Sequence, residues 1–290
     1  MALPPGHPFP MGKFTALHHL LLAEGLVREA DVLCPEPAPW EDLARVHARQ
    51  YLEALEAGAL GRRAERVLGL PWSPALVRRS RLAVGGTVQA ARLALADGVA
   101  ANLAGGTHHA FPDHGEGFCV LNDVAVAIRL LVAEGRIGRA LVVDLDVHQG
   151  NGTAAAFADG SGAYTFSIHG ERNFPFRKER SSRDVALPDG TGDAAYLAAL
   201  DQHLPQALDE ARADLLFYLA GVDPAAGDRY GRLALSRDGL EARDRRVMAA
   251  AAARGLPLVL LTAGGYAPTP EATADLHAIA HRVAAGLASV

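Results

Sequence analysis

Four continuous apolar runs decide what this chain can fold into: RALVVDLDVH (139–148), AYTFSIHG (163–170), ADLLFYLAGVD (213–223) and LPLVLLTAGGY (256–266). Each has the length of a strand and lacks polar alternation, which is the pattern of strands covered on both faces. A weaker run, GVAANLAGG (98–106), predicts one more. Helical patterns lie around them at 80–98, 122–135, 194–212 and 237–255, several ending at glycine, where a left-handed cap falls. Residues 41–58, EDLARVHARQYLEALEAG, read as a further helix after the short proline-rich CPEPAPW. Strand-helix alternation of this kind predicts an α/β fold with a single open, mostly parallel sheet flanked by helices. No linker or repeat interrupts it, so the expectation is one domain over 1–290.

Composition narrows the function classes. The 290 residues are 50% hydrophobic, too apolar for disorder, and the formal net charge of −5 offers no basic field for a nucleic-acid backbone. Two cysteines exclude a disulfide-built scaffold, and the proline-bearing start MALPPGHPFPMGKF is no signal peptide. No run reaches the ~18–20 apolar residues of a membrane span. The expectation is a soluble, cytoplasmic protein. Lysine occurs only at Lys13 and Lys178, arginine supplying the other basic residues.

The polar residues at the carboxyl ends of the runs carry the chemistry: His108 and His109, Asp146 and His148, His169, Asp223, Tyr266. Ligand sites of open α/β sheets lie outside those ends, so residues distant in sequence are expected to converge. If 144–148 is strand, Asp146 and His148 share one face and can reach one metal ion, with Asp223 as third ligand. Two carboxylates and an imidazole plus an open position make a hydrolytic zinc site. The plainer alternative is that each residue only caps a helix or loop.

His108-His109 follows Gly105-Gly106 and offers proton carriers near neutral pH. A bare pair says little, since His18-His19 recurs in a helical pattern without evident chemistry. Asp144 would orient one imidazole and favour its charged form, and Asn151 would orient the other without charge, so the two pKa values would separate. Tyr266, after Gly264-Gly265, can donate to a developing oxyanion or simply sit in a glycine turn. The loop aromatics Phe118 and Phe174 line an apolar channel or pack back on the domain. Cys119 reads as structural, and Gly85-Gly86 belongs to no dinucleotide motif.

Taken together, GGTHHA (105–110), GFCVLND (117–123), VDLDVHQGNGT (143–153), AGVDPAAGDRYG (220–231) and AGGY (263–266) resemble the histone deacetylase family. HPFPMGKF (7–14), HQGNG and GDRYGRLALS (227–236) are most similar to class IV members and their bacterial relatives. The resemblance implies zinc on Asp146, His148 and Asp223, with ferrous iron as the alternative metal. It implies catalytic roles for His108, His109 and Tyr266, His109 being the proton donor to the leaving amine. It further implies an acyl-lysine tunnel at Gly117, Phe118, Phe174 and Gly265, and a structural potassium at Asp144, Asp146, His148, Ser167 and Ile168. Asn151 stands where many class I members carry aspartate. The substrate so implied is acylated lysine on a protein or peptide. The alternatives are a small acylated amine such as an acetylpolyamine, or acyl-lysine binding without catalysis.

Overall fold

The structure, a computed structural model, describes residues 3–4 and 6–288; the expected domain, 1–290, extends past them at both ends. Among the described residues ten α-helices are formed in chain order: α1 (Gly12–Ala23), α2 (Trp40–Leu43), α3 (Arg49–Ala57), α4 (Gly61–Leu68), α5 (Pro74–Asp97), α6 (Asp123–Ala133), α7 (Asn151–Ala156), α8 (Asp193–Ala211), α9 (Arg237–Ala252) and α10 (Pro270–Ala288). Among them run strands β1 (Val99–Asn102), β2 (Ala140–Asp144), β3 (Ala163–Gly170), β4 (Arg183–Leu187), β5 (Leu215–Leu219) and β6 (Leu258–Leu261). The six strands form one sheet in the order β1-β6-β5-β2-β3-β4, every neighbouring pair parallel.

The continuous apolar runs have their reason here. Ala140 and Val142 of β2 face one core with Val84, Val124 and Ile128 of α5 and α6, while Leu141 and Val143 face the other with Leu200 and Val247 of α8 and α9. Both faces are covered, so no position of β2, β3 or β5 is left for a polar residue to reach solvent. Among the described residues no helix is long and apolar enough to cross a membrane.

Four differences from the sequence expectations are informative. The helix expected over 41–58 is split into α2 and α3, because His47 turns inward: its Nδ1 bonds the Phe111 carbonyl and its Nε2 accepts from Asn122 N–H, both at 3.0 Å. The apolar runs also overshoot their strands. β2 ends at Asp144, β5 at Leu219 and β6 at Leu261, and the residues beyond are apolar because they are buried turns, not because they extend. β4 escapes prediction as a short edge strand of alternating exposure. α10, likewise unpredicted, packs on α1 and α9 through Ala278 and Ile279.

Gly85 and Gly86 sit inside α5, where a Cβ on Gly85 would stand 2.0 Å from the Glu36 carbonyl oxygen. Glycine there lets the helix touch the backbone of the incoming loop. Gly85→Ala is expected to cost about 1–3 kcal/mol through overpacking, read as a lower urea midpoint. Gly286→Ala in α10, where a Cβ meets nothing within 4 Å, should leave the midpoint unchanged or raise it.

Candidate metal and catalytic centre

β2 and β5 lie side by side, yet the chain proceeds from β2 to β3 on one side and from β5 to β6 on the other. The connections diverge, and a crevice opens at the carboxyl ends of these two strands. Asp146 and His148 stand on the turn that leaves β2, and Asp223 on the loop that leaves β5. A turn, then, and not strand alternation, brings Asp146 and His148 together.

Backbone amides fix the carboxylates. His148 N–H and Gly264 N–H donate to the two oxygens of Asp146, at 2.9 and 2.7 Å, and Val147 N–H donates to Asp223 Oδ1 at 2.8 Å. Nδ1 of His148 faces Asp146 Oδ1 at 3.0 Å and Asp223 Oδ2 at 3.1 Å. Ligand atoms of Asp146, His148 and Asp223 all lie within 4.8 Å of one another, and all three residues are buried. Two oxygens and one nitrogen so placed suit a divalent ion, and the buried anionic charge calls for one. From beneath, Arg243 of α9 ties the two loops by donating to the Leu145 and Gly221 carbonyls.

The histidine pair approaches from the loop after β1. Asp123, at the start of α6, holds that loop by accepting from Gly106 N–H, Thr107 N–H and the Thr107 hydroxyl at 2.6–2.9 Å. Nδ1 of His108 bonds Asp144 Oδ2 and Nδ1 of His109 bonds Asn151 Oδ1, each at 2.7 Å. An amide oxygen only accepts, so His109 carries its proton on Nδ1 and keeps Nε2 as a lone pair. Burial opposes charge on His108, but the Asp144 and Asp146 carboxylates outweigh it and lift its pKa to about 9. For His109 burial wins, aided by repulsion from His108 and His148, and its pKa falls well below the usual imidazole range. Burial likewise opposes charge on His148, yet Asp146 and Asp223 raise it to about 10. A dication on those carboxylates would displace that proton, since a histidine ligand is neutral.

Tyr266 follows Gly264-Gly265, and Asp228 accepts from its backbone N–H at 2.7 Å while also accepting from Tyr230 and Gly231 N–H. Its ring lies 6.2 Å from Phe118 and edge-on to Tyr230 at 4.9 Å. Burial, then the charges of Asp223 and Asp146, push its phenol well above the ordinary range, so it stays a donor. Phe174 meets the His109 ring edge-on at 5.0 Å. A Cβ on Gly117 would stand 2.7 Å from His109 Cδ2 and 3.2 Å from Phe174, so only glycine lets the chain run this close. Phe118, at φ 67°, is held by its N–H on the Leu68 carbonyl.

Not every candidate joins the cleft. Gly265 is buried against Val222 and His277, and Gly264 lines the cleft in its stead. His169 stays inside β3, with Nδ1 2.9 Å from Ser167 Oγ. Ser167 pairs with Asp144 across β2 and β3, and Ile168 is fully buried. Sequence reasoning passed over Asp123, Asp228 and Arg243. The first two lie inside stretches quoted above, but their hydrogen-bonding roles leave no mark in spacing.

A histone deacetylase domain matches residues 7–282. The chain is 46% identical over 282 residues to an uncharacterized protein of Picosynechococcus sp., covering 97% of this chain and 94% of that one. It is 34% identical to histone deacetylase 2 of Arabidopsis thaliana, over 90% of this chain and 70% of the relative. A histone deacetylase-like amidohydrolase of Pseudomonas aeruginosa is 32% identical, over 86% and 70%. In structure the chain is similar to an HDAC homolog complexed with SAHA, with a TM-score of 0.81 and 28% identity, over 97% of this chain and 80% of that one.

The unlike partners of the two histidines set a test. Imidazole shifts followed by NMR against pH should show His109 uncharged at neutral pH and His108 still protonated. Asp144→Asn removes the charge that opposes desolvation, and His108 should then lose its proton below neutral pH.

Proposed function

Because the chain belongs to the histone deacetylase family, we propose that it is a zinc-dependent amide hydrolase that removes acetyl or longer acyl groups from lysine side chains of proteins or peptides. The observation that supports this most is the asymmetry of the histidine pair beside a three-ligand set, with a phenol across the same cleft. Held by Asp146, His148 and Asp223, zinc would lower the pKa of a bound water and polarise the acyl oxygen.

The chain's own residues do the rest. Gly117, Phe118 and Phe174 form the narrow apolar walls past which an acyl-lysine side chain is threaded. Nε2 of His109 takes a proton from the attacking water and returns it to the lysine Nζ as the C–N bond breaks. His108, charged against Asp144, stabilises the negative charge that develops. The Tyr266 hydroxyl donates to the oxyanion as it forms, and the products are the lysine amine and a carboxylate. Asn151 orients His109 without lending it charge, which keeps Nε2 a weak base that readily gives its proton back. A structural potassium ion at the Asp144, Asp146, His148, Ser167 and Ile168 positions belongs to the same reading.

Peptides bearing acyl-lysine from acetyl to myristoyl, assayed with the zinc-loaded protein, test this. Tyr266→Phe should lower kcat about 10²- to 10³-fold, with zinc content unchanged and KM little altered. Full activity in that variant would overturn the mechanism. Acetylspermidine turned over far better than every peptide would move the substrate to small acylated amines. Acyl-lysine binding with no turnover at any length would make the site a binding module.

A further inference from the structure

The cleft that holds the histidine pair and Tyr266 is also lined by Arg79 of α5, beside Phe9, Phe14 and Cys119. The guanidinium carbon lies 4.9 Å from the centre of the Phe14 ring and 5.6 Å from that of Phe9, so two phenyl rings hold it. Phe9 in turn lies 5.3 Å from Phe118, the aromatic wall next to Tyr266. Among the described residues no carboxylate, carbonyl or hydroxyl bonds to Arg79. Lys13 flanks the same Phe14 ring at 5.3 Å, and among the described residues its buried ammonium has a single acceptor, the Ala263 carbonyl at 2.8 Å. Asp146, Asp223 and Asp228 are the acids whose charge reaches Lys13, and none of them bonds it.

Buried and half-buried cations of this kind are normally paired, because leaving their donors unmet is costly. The same chain shows the ordinary arrangement at Arg243, whose guanidinium is taken up by Asp244 and two carbonyls. Arg79 instead lines the cleft with no partner for its planar fork of N–H donors among the described residues, and a carboxylate matches that fork in geometry and charge. It lines one cleft with Cys119, residues 104–107, the histidine pair and Tyr266.

We propose that Arg79 is a specificity residue for the acyl group: it receives the terminal carboxylate of a dicarboxylic acyl chain, succinyl or glutaryl, carried on the substrate lysine. This rests on the acyl-lysine hydrolase reading above. Water adds to the amide carbon, the C–N bond breaks, lysine leaves as the amine with the proton from His109, and the acyl group leaves as a dicarboxylate.

The test compares succinyl- and glutaryl-lysine peptides with the near-isosteric neutral butyryl- and pentanoyl-lysine peptides. The wild-type protein should favour the acidic member of each pair in kcat/KM. Arg79→Met should lower the acidic-to-neutral ratio roughly 10- to 100-fold, the worth of a charge-assisted hydrogen bond, and Arg79→Lys should restore part of it. A wild-type preference for the neutral acyl group, or a ratio untouched by Arg79→Met, overturns the inference. Calorimetric binding of the glutaryl and pentanoyl peptides to Tyr266→Phe, with and without Arg79→Met, reads the subsite without turnover. Arg79-dependent preference for the glutaryl peptide in a chain that hydrolyses nothing would keep the subsite and overturn the hydrolase reading. Equal binding of the two peptides would overturn the subsite.

Discussion

Three carboxylates, those of Asp144, Asp146 and Asp223, are gathered at the end of the sheet with at most 4% of each residue exposed. Burying an unpaired charge costs several kcal/mol even after relaxation, so the surrounding chain is organised to answer this one. Backbone amides point at the carboxylates from the turns after β2 and β6. They come close enough only because glycine occupies the approach: a Cβ on Gly264 would lie 2.1 Å from Asp223 Oδ2 and 2.5 Å from Asp146 Oδ2. The crossover that diverges at β2 and β5 supplies the opening, and His108 supplies positive charge on one side. What remains uncompensated is the space between Asp146, His148 and Asp223, and a divalent ion is the group whose charge fits it.

The same electrostatics divide labour between neighbouring histidines. Sequence adjacency gives His108 and His109 the same burial, yet one meets a carboxylate and the other an amide. In the proposed mechanism the charged imidazole serves as a fixed field, and the neutral one moves the proton. Aromatic walls around them exclude water and strengthen both effects.

Much of this was legible in the sequence, for a definite reason. Buried parallel strands write themselves as unbroken apolar runs, so the polar residues that end them stand out, and Asp146, His148, Asp223, the histidine pair and Tyr266 were found that way. The partners Asp144 and Asn151 were legible from their closeness to those residues. Spacing misleads where burial and extension write the same letters: Leu145 and Val147 are apolar within a turn, so the apolar run is longer than the strand. It was silent where a role depends on a partner far along the chain. His47 breaks a helix to reach Phe111 and Asn122, Asp123 holds the loop before the histidines, and Arg79 meets two rings from the amino-terminal segment. No local pattern announces such contacts.

Anomalous X-ray scattering from crystals of the purified chain, with elemental analysis of the same sample, decides whether these buried carboxylates hold a metal ion. One divalent ion per chain is expected, bonded to Asp146, His148 and Asp223, and lost when Asp223 is changed to Asn. A pocket that stays without metal at saturating zinc or ferrous iron would contradict it. So would two ions side by side, because the chain then would follow a two-metal chemistry for which the described residues offer no second cluster.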